Sequence, residues 1–128
     1  MTTSACARTV LIVEDDVDTR DAIVEVLTDR NYRALEASNG ADALDELRAA
    51  APQPCLILLD MMMPVMDGTE FRNLQLVDEA LRGIPVVVLS AHADATALAE
   101  QMQAEGFLRK PVDLVTLLRT VEQFCARD

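Results

Sequence analysis

Short apolar runs alternate with amphipathic segments along this chain. The runs carry few internal charges and end at polar residues, which is typical of strands buried on both faces of a parallel sheet. They predict strands at 9–13, 32–37, 56–60, 86–89 and 107–109, the second being a more polar edge strand. Between them, apolar residues at helical spacing predict five helices, at 18–31, after Gly40, from 69, at 93–103 and at 113–126.

Strand and helix therefore alternate five times. This order predicts an α/β fold in which one doubly wound, five-stranded parallel sheet is joined by right-handed crossovers. A length of 128 residues suits a single domain, expected at 9–127 after a tail at 1–8. The helix positions expected to face the core are Ala22, Ile23, Val26, Leu27, Ala43, Leu44, Leu47, Phe71, Leu74, Leu81, Leu114, Leu117, Leu118, Val121 and either Phe124 or Cys125.

Charge narrows the class of partner. The formal net charge is −11, from 22 acidic against 11 basic residues, which disfavours direct nucleic-acid binding and anionic membranes. No apolar run approaches the roughly 20 residues that span a bilayer, and 1–7 lacks the apolar core of a secretory signal. A cytoplasmic location is expected. Cys6, Cys55 and Cys125 have no metal-type spacing, so they are expected as small packing residues in a reducing compartment.

Polar side chains gather where the strands end. Because the carboxyl ends of parallel strands meet at one rim, where such sheets bind ligands, these residues are expected to lie close together. They are Glu14, Asp15, Asp16, Asp60, Ser90 and Lys110. Two like charges about 4 Å apart cost roughly 4 kcal/mol at an effective dielectric near 20, so the cluster must raise its pKa values or hold a cation. Oxygen ligands with access to water suit Mg²⁺, and a carboxylate nucleophile beside a lysine and a hydroxyl suits phosphoryl transfer.

Each of these residues also has a purely structural alternative. Asp60 can start a turn. Asp15, Asp16 or Ser90 can cap a helix, and Lys110 can be a solvated loop lysine. His92 is expected in an exposed loop, and the methionines at 61–63 are expected to pack. Only the agreement of four strand ends favours a functional site.

Four motifs give the chain a family resemblance. They are VLIVEDD at 10–16, LLDMMMPVMDG at 58–68, PVVVLSA at 85–91 and FLRKP at 107–111. In combination they resemble a response regulator receiver domain of bacterial two-component signalling, over about 9–126. The resemblance implies a flavodoxin-like topology with strand order 2-1-3-4-5.

The resemblance also implies roles. Asp60 is expected to take a phosphoryl group from a phosphohistidine on a sensor histidine kinase or a histidine phosphotransfer protein. Mg²⁺ (or Mn²⁺) would be held directly by Asp15 and Asp60, by Glu14 mostly through water, and by the Met62 carbonyl. The Ala91 backbone and Lys110 would contact the phosphoryl group. The switch residues would be Ser90 and Phe107, and the Lys110–Pro111 bond is expected to be cis.

The expected output is a change in the face formed by the fourth helix, the fifth strand and the last helix. The sequence shows no output domain up to Asp128, so the signal is expected to reach a downstream effector protein, unless the chain is a fragment of a longer protein. The chain is expected to be a signalling domain rather than a metabolic enzyme. It departs from the family pattern in a shorter stretch between Ser90 and Lys110, in Gln103 where glycine is frequent, and in Phe107 where tyrosine is common.

Three other interpretations remain at this point. A Mg²⁺-dependent phosphatase with an aspartate nucleophile needs a second acid two residues later, where Met62 stands. A flavodoxin-like cofactor module needs a phosphate-binding loop after the first strand, where acidic residues stand instead. A degenerate receiver would serve only as a binding scaffold, although its acidic pair, aspartate and lysine are complete.

Overall fold

A computed structural model describes residues 8–50, 53–61, 63, 65–91 and 95–125. The strands are β1 (Thr9–Val13), β2 (Arg33–Ala37), β3 (Leu56–Asp60), β4 (Val86–Ser90) and β5 (Gly106–Arg109). The helices are α1 (Val17–Asp29), α2 (Gly40–Ala49), α3 (Gly68–Val77), α4 (Ala95–Gln101) and α5 (Leu114–Phe124).

The strands form one parallel sheet in the order β2-β1-β3-β4-β5. The predicted doubly wound fold and strand order are therefore confirmed, and β2 lies at an edge as expected. The three central strands β1, β3 and β4 are buried at every position, because helices cover both faces of the sheet.

Two apolar clusters flank the sheet, one on each face. Successive strand residues point to opposite faces, so Leu11 and Val13 join the cluster that includes α2 and α3. Val10 and Ile12 join the cluster that includes α1 and α5. The domain limits, a tail at 1–8 and a domain at 9–127, stay a prediction. Within the described ranges no helix is both long enough and apolar enough to cross a membrane.

The phase of two helices differs from the prediction. Ala22 and Leu74, expected inward, are exposed, whereas Arg72 and Gln75 on α3 are buried. The Arg72 guanidinium donates to the carbonyl oxygens of Met102 and Gln103 and to the Gln75 side chain. A buried guanidinium with three acceptors is satisfied, so α3 faces the α4–β5 connection with polar groups where an apolar stripe was expected.

Helix α4 is short, at seven residues, in keeping with the shortened stretch between Ser90 and Lys110. The backbone after it reverses at Gln103, whose φ of 57° lies in the left-handed region that glycine adopts without strain. The Gln103 carbonyl is one of the acceptors of Arg72, at 2.6 Å. The frequent glycine of the family is thus replaced at a position whose backbone still favours glycine.

The expectation for two of the three cysteines is wrong. Cys55 and Cys125 form a disulfide, with their Cα atoms 5.4 Å apart and a sequence separation of 70. Cys55 directly precedes β3 and Cys125 directly follows α5, and their spacing gave no sign of a pair because only the packing of α5 on the sheet brings them together. Cys6 lies outside the described residues.

Candidate functional site

The carboxyl ends of β3, β4 and β5 place three polar side chains at one rim. Asp60 and Ser90 are the last residues of β3 and β4, and both are buried, at 4% exposure each. The Lys110 N–H donates to the Ser90 carbonyl oxygen at 3.0 Å, which extends the pairing of β4 and β5 by one step. This backbone bond fixes where the Lys110 side chain begins, and the cis Lys110–Pro111 bond follows it as expected.

Lys110 binds two carboxylates. Its Nζ lies 3.1 Å from Asp60 Oδ1 and 2.8 Å from Glu14 Oε1, and its side chain is only 23% exposed. The alternative of a solvated loop lysine is therefore wrong. The contact joins the ends of β1, β3 and β5, which are separated by many residues in sequence.

Burial and charge both act on Asp60. Removal from water raises its pKa, the neighbouring Glu14 carboxylate raises it further, and Lys110 opposes both, leaving the pKa at about 7. Burial lowers the pKa of Lys110, but its contacts with Glu14 and Asp60 outweigh this effect and raise it. The raised pKa keeps the lysine charged near neutral pH, and the Asp60 carboxyl holds a proton more readily than an ordinary aspartate does.

The acidic residues after β1 divide into two roles. The Asp16 side chain accepts a hydrogen bond from the Thr19 N–H at 2.9 Å and caps α1, and bonds from Thr19 lower the pKa of Asp16. For Asp16 the capping alternative is correct. Asp15 is exposed and does not cap the helix, whereas Glu14 is fully buried and accepts from the Asp16 N–H at 3.1 Å.

Three carboxylates converge closely enough to share one ion. Oxygens of Glu14, Asp15 and Asp60 all lie within 4.8 Å of one another. Their charges sum to −3 when all are ionised, and Lys110 returns only +1. Glu14 Oε1 is buried. Among the described residues it forms an ion pair with the Lys110 ammonium but accepts no well-aligned hydrogen bond. A donor set of carboxylate oxygens, partly open to water through Asp15, fits a hard divalent cation such as Mg²⁺.

The other expected site residues lie around this cluster. Ser90 cannot cap α4 directly, because that helix begins five residues later, at Ala95. Ala91 is exposed, and Phe107 is half-buried against the core with the Arg109 guanidinium carbon 5.6 Å from its ring centroid. Met62 and His92 lie outside the described residues, so the expected carbonyl ligand and the exposed loop histidine stay predictions.

Two further residues that shape the rim were not predicted from the sequence. Arg20 donates to the Glu14 carbonyl oxygen at 2.8 Å and pairs with Glu36 at 3.1 Å, which holds the backbone beside the acidic cluster. Gly68 begins α3 so close to β3 that an added Cβ would lie 2.9 Å from the Asp60 carbonyl oxygen. The glycine in the DG pair of the 58–68 motif was the available signal for the second, and nothing in the pattern marked Arg20.

Among the described residues between β3 and α3, Val65 has a strained backbone. Val65 has a φ of 68°, in the left-handed region, and its side chain is 82% exposed. A β-branched residue rarely adopts this conformation, since its branched Cβ collides with its own backbone. The strain lies five residues after Asp60, beside the candidate site.

Comparison with known proteins gives one consistent family. The family model of the response regulator receiver domain matches residues 10–122. The chain is 35% identical over 120 residues to an uncharacterized 14.6 kDa protein of Leptolyngbya boryana, covering 91% of this chain and 88% of that protein. It is 30% identical over 118 residues to sporulation initiation phosphotransferase F of Bacillus subtilis, covering 90% and 91%.

Solved structures agree with this result. The signal receiver domain of a signal transduction histidine kinase from Syntrophus aciditrophicus superposes with a TM-score of 0.82 at 28% identity, covering 92% of this chain and 89% of that one. The similarity therefore extends over nearly all of both chains.

Proposed function

This chain belongs to the response regulator receiver family, whose general function is phosphoryl transfer to an aspartate, and we propose that Asp60 is the acceptor. The observation that carries the proposal is the contact of Lys110 Nζ with Asp60 Oδ1, at 3.1 Å within a buried acidic cluster. An acceptor carboxylate has to be held close to a cation that can balance phosphoryl oxygens, and Asp60 has such a cation.

The proposed transfer makes use of this arrangement. An Asp60 oxygen attacks the phosphorus of a phosphohistidine on a partner protein, the N–P bond breaks, and the imidazole keeps the bonding electron pair and takes up a proton. Lys110 then exchanges part of its contact with Asp60 for a phosphoryl oxygen. The low dielectric of the rim strengthens this interaction, because Asp60 is almost fully buried.

Mg²⁺, or Mn²⁺, is the cofactor that we propose for this step. Glu14, Asp15 and Asp60 would hold it, together with the Met62 carbonyl oxygen. When bound, the ion supplies positive charge against the carboxylates and the phosphoryl oxygens. The support for this proposal is the excess negative charge of the three carboxylates over Lys110.

The remaining parts of the proposal concern the switch and its readers. Ser90 and the Ala91 backbone would contact the phosphoryl group, and Phe107 would move inward as Ser90 shifts. The face formed by α4, β5 and α5 would then change and be read by a downstream effector protein. We assign the donor to a sensor histidine kinase or a histidine phosphotransfer protein, the setting to the cytoplasm, and the chain to signalling rather than metabolism.

A phosphorylation assay tests the acceptor. The protein is incubated with Mg²⁺ and acetyl phosphate, and intact mass spectrometry measures phosphoryl adducts. We expect a single adduct that is absent from Asp60→Asn and from reactions in excess EDTA. Asp45→Asn is the matched control, since it removes one exposed carboxylate from α2.

Two results would contradict the proposal. An adduct that persists in Asp60→Asn places the acceptor elsewhere. No adduct on the wild-type chain, with acetyl phosphate and with a phosphorylated histidine partner alike, supports the scaffold interpretation instead.

A further inference from the structure

Two cysteines meet at the amino-terminal end of β3, opposite the acidic rim. Cys55 lies directly before β3, whose other end carries Asp60, and Cys125 lies directly after α5. Their disulfide joins segments 70 residues apart in sequence. We propose that Cys55 and Cys125 form a reversible thiol–disulfide pair, a redox modification site that secures or releases the C-terminal turn of α5.

The surroundings of the pair accommodate both redox forms. The Thr9 carbonyl oxygen accepts the Cys55 N–H at 2.8 Å and lies 3.1 Å from Cys55 Sγ, so it can also accept the proton of a reduced thiol. Cys125 packs in the apolar cluster with Val121 and is 1% exposed, an environment that suits an uncharged thiol as well as a disulfide. Reduction therefore leaves neither sulfur in an unsuitable environment.

Access to the bond is one-sided. Cys55 is half-buried, whereas Cys125 is almost fully buried, so an incoming thiolate reaches Cys55 Sγ first. Attack there breaks the S–S bond, and Cys125 leaves as a thiolate that takes up a proton. A second thiol of the same dithiol reductant then attacks the mixed disulfide and releases the Cys55 thiol. Two electrons pass to the protein, and the reductant becomes a disulfide; a disulfide oxidant reverses the exchange.

The segment under control is the last turn of α5. Within this helix only Leu117 and Val121 are buried, and Cys125 occupies the next inward position one turn later. The Cys125 N–H closes the helix by donating to the Val121 carbonyl oxygen at 2.8 Å. Because the disulfide ties this last inward position to the start of β3, reduction removes the covalent anchor of the turn and leaves the backbone hydrogen bond to Val121 and the side-chain packing.

Such a pair behaves differently from a permanent crosslink. In a reducing compartment, protein disulfides are usually transient and serve catalysis or redox sensing. The sequence predicts such a compartment for this chain. The reduced form would then be the resting state, and oxidation would stiffen the end of α5. The pair lies at the opposite end of β3 from Asp60.

Redox titration of the full chain tests the pair. The protein is equilibrated in mixtures of reduced and oxidised dithiothreitol without denaturant, quenched with acid and alkylated. We expect one reversible two-electron transition, a linked peptide pair containing Cys55 and Cys125, and an unchanged transition in Cys6→Ser. Hydrogen exchange of the peptide covering 114–125 should be faster in the reduced protein than in the oxidised protein. The reduced protein should also melt at a temperature about 10 °C lower.

Other outcomes would overturn the inference. A bond that involves Cys6, or a Cys55–Cys125 bond that excess dithiothreitol reduces only after unfolding, would exclude a reversible pair. Equal exchange of α5 in the two redox states would exclude control of its last turn. Cys55→Ser, whose hydroxyl keeps a donor for Thr9, should resemble the reduced protein in both buffers; if it does not fold, the two redox states of the wild-type chain remain the comparison.

The redox test is also separate from the phosphorylation test. The acetyl phosphate reaction is run on both redox states. If no adduct forms on either, the proposed acceptor fails while the titration still decides the cysteine pair.

Discussion

Asp60→Asn should stabilise the metal-free protein near neutral and alkaline pH. The Asp60 carboxyl has a pKa of about 7 in the folded chain, raised first by burial and then by Glu14, against an ordinary value of 3.8. The folded state therefore holds this proton more tightly than the unfolded state. For a carboxyl whose folded pKa is raised, stability falls as pH rises from about 4 to about 7 and is level above that. Asparagine carries no charge and avoids this loss.

The size of the effect follows from the shift. About three pKa units, at about 1.36 kcal/mol each, set an upper limit near 4 kcal/mol above pH 7. In the variant a neutral amide replaces one of the two carboxylates that contact Lys110, and the lost charge attraction makes the net gain in stability smaller than this limit. We expect Asp60→Asn to unfold with a free energy about 2 to 4 kcal/mol higher than wild type at pH 8. The two proteins should converge near pH 4.

Urea unfolding followed by far-ultraviolet circular dichroism measures the difference, since the chain has no tryptophan. The titration is run in EDTA at pH 4.5, 6 and 8. Asp45→Asn, which removes one exposed carboxylate, is the control and should stay within about 0.5 kcal/mol of wild type at each pH. Added Mg²⁺ should narrow the gap at pH 8, because it should stabilise the protein that keeps all three carboxylates more than the variant that keeps two. An Asp60→Asn variant that is no more stable than wild type at pH 8, or a gap that does not shrink with falling pH, would show that the buried Asp60 carboxylate does not destabilise the fold.

Three further changes test the local structure. Val65→Gly relieves a left-handed β-branched residue whose side chain packs little, so the melting temperature should rise by several degrees, corresponding to about 1 kcal/mol; a fall would contradict the strain. Arg72→Met leaves buried carbonyl groups without their donor and should lower the free energy of unfolding by at least about 2 kcal/mol in urea titrations; an unchanged midpoint would show that the network contributes nothing. Lys110→Met leaves Glu14 and Asp60 facing each other without a cation, so it should lose about 3 to 5 kcal/mol in EDTA and regain much of it in Mg²⁺; equal stability in both buffers would contradict a shared cation site.

The periodic patterns were sufficient for the fold because each strand and helix buries residues at its own spacing. Continuous apolar runs ending at Asp60 and Ser90 indicated central parallel strands, and parallel strands necessarily bring their carboxyl ends to one rim. The gathering of polar groups there was therefore predictable. The pattern was weaker for helices, since Leu74 satisfies helical spacing yet is exposed, while Arg72 is buried because backbone carbonyls of the α4–β5 connection accept its hydrogen bonds.

Within the site, residue types were predictable and partners were not. Asp15 and Asp16 are adjacent acids, and the sequence does not show which of them caps the first helix. The residue at which α1 begins identifies Asp16 as the cap. Lys110 was expected near Asp60, but its second contact, with the buried Glu14, depends on how β1 and β5 are placed on either side of β3 and β4. Side-chain partners across a sheet depend on distances that no local pattern encodes.

The element order, the parallel sheet, the family and the residues that end its strands could be predicted from the sequence, because burial periodicity and motif spacing are local properties of a chain. The ion pairs of Lys110, the raised pKa of Asp60, the acceptors of Arg72 and the pairing of Cys55 with Cys125 arise only in the folded domain. Each of these depends on the separation of groups that are distant in sequence, and such separations exist only after the helices have packed on the sheet.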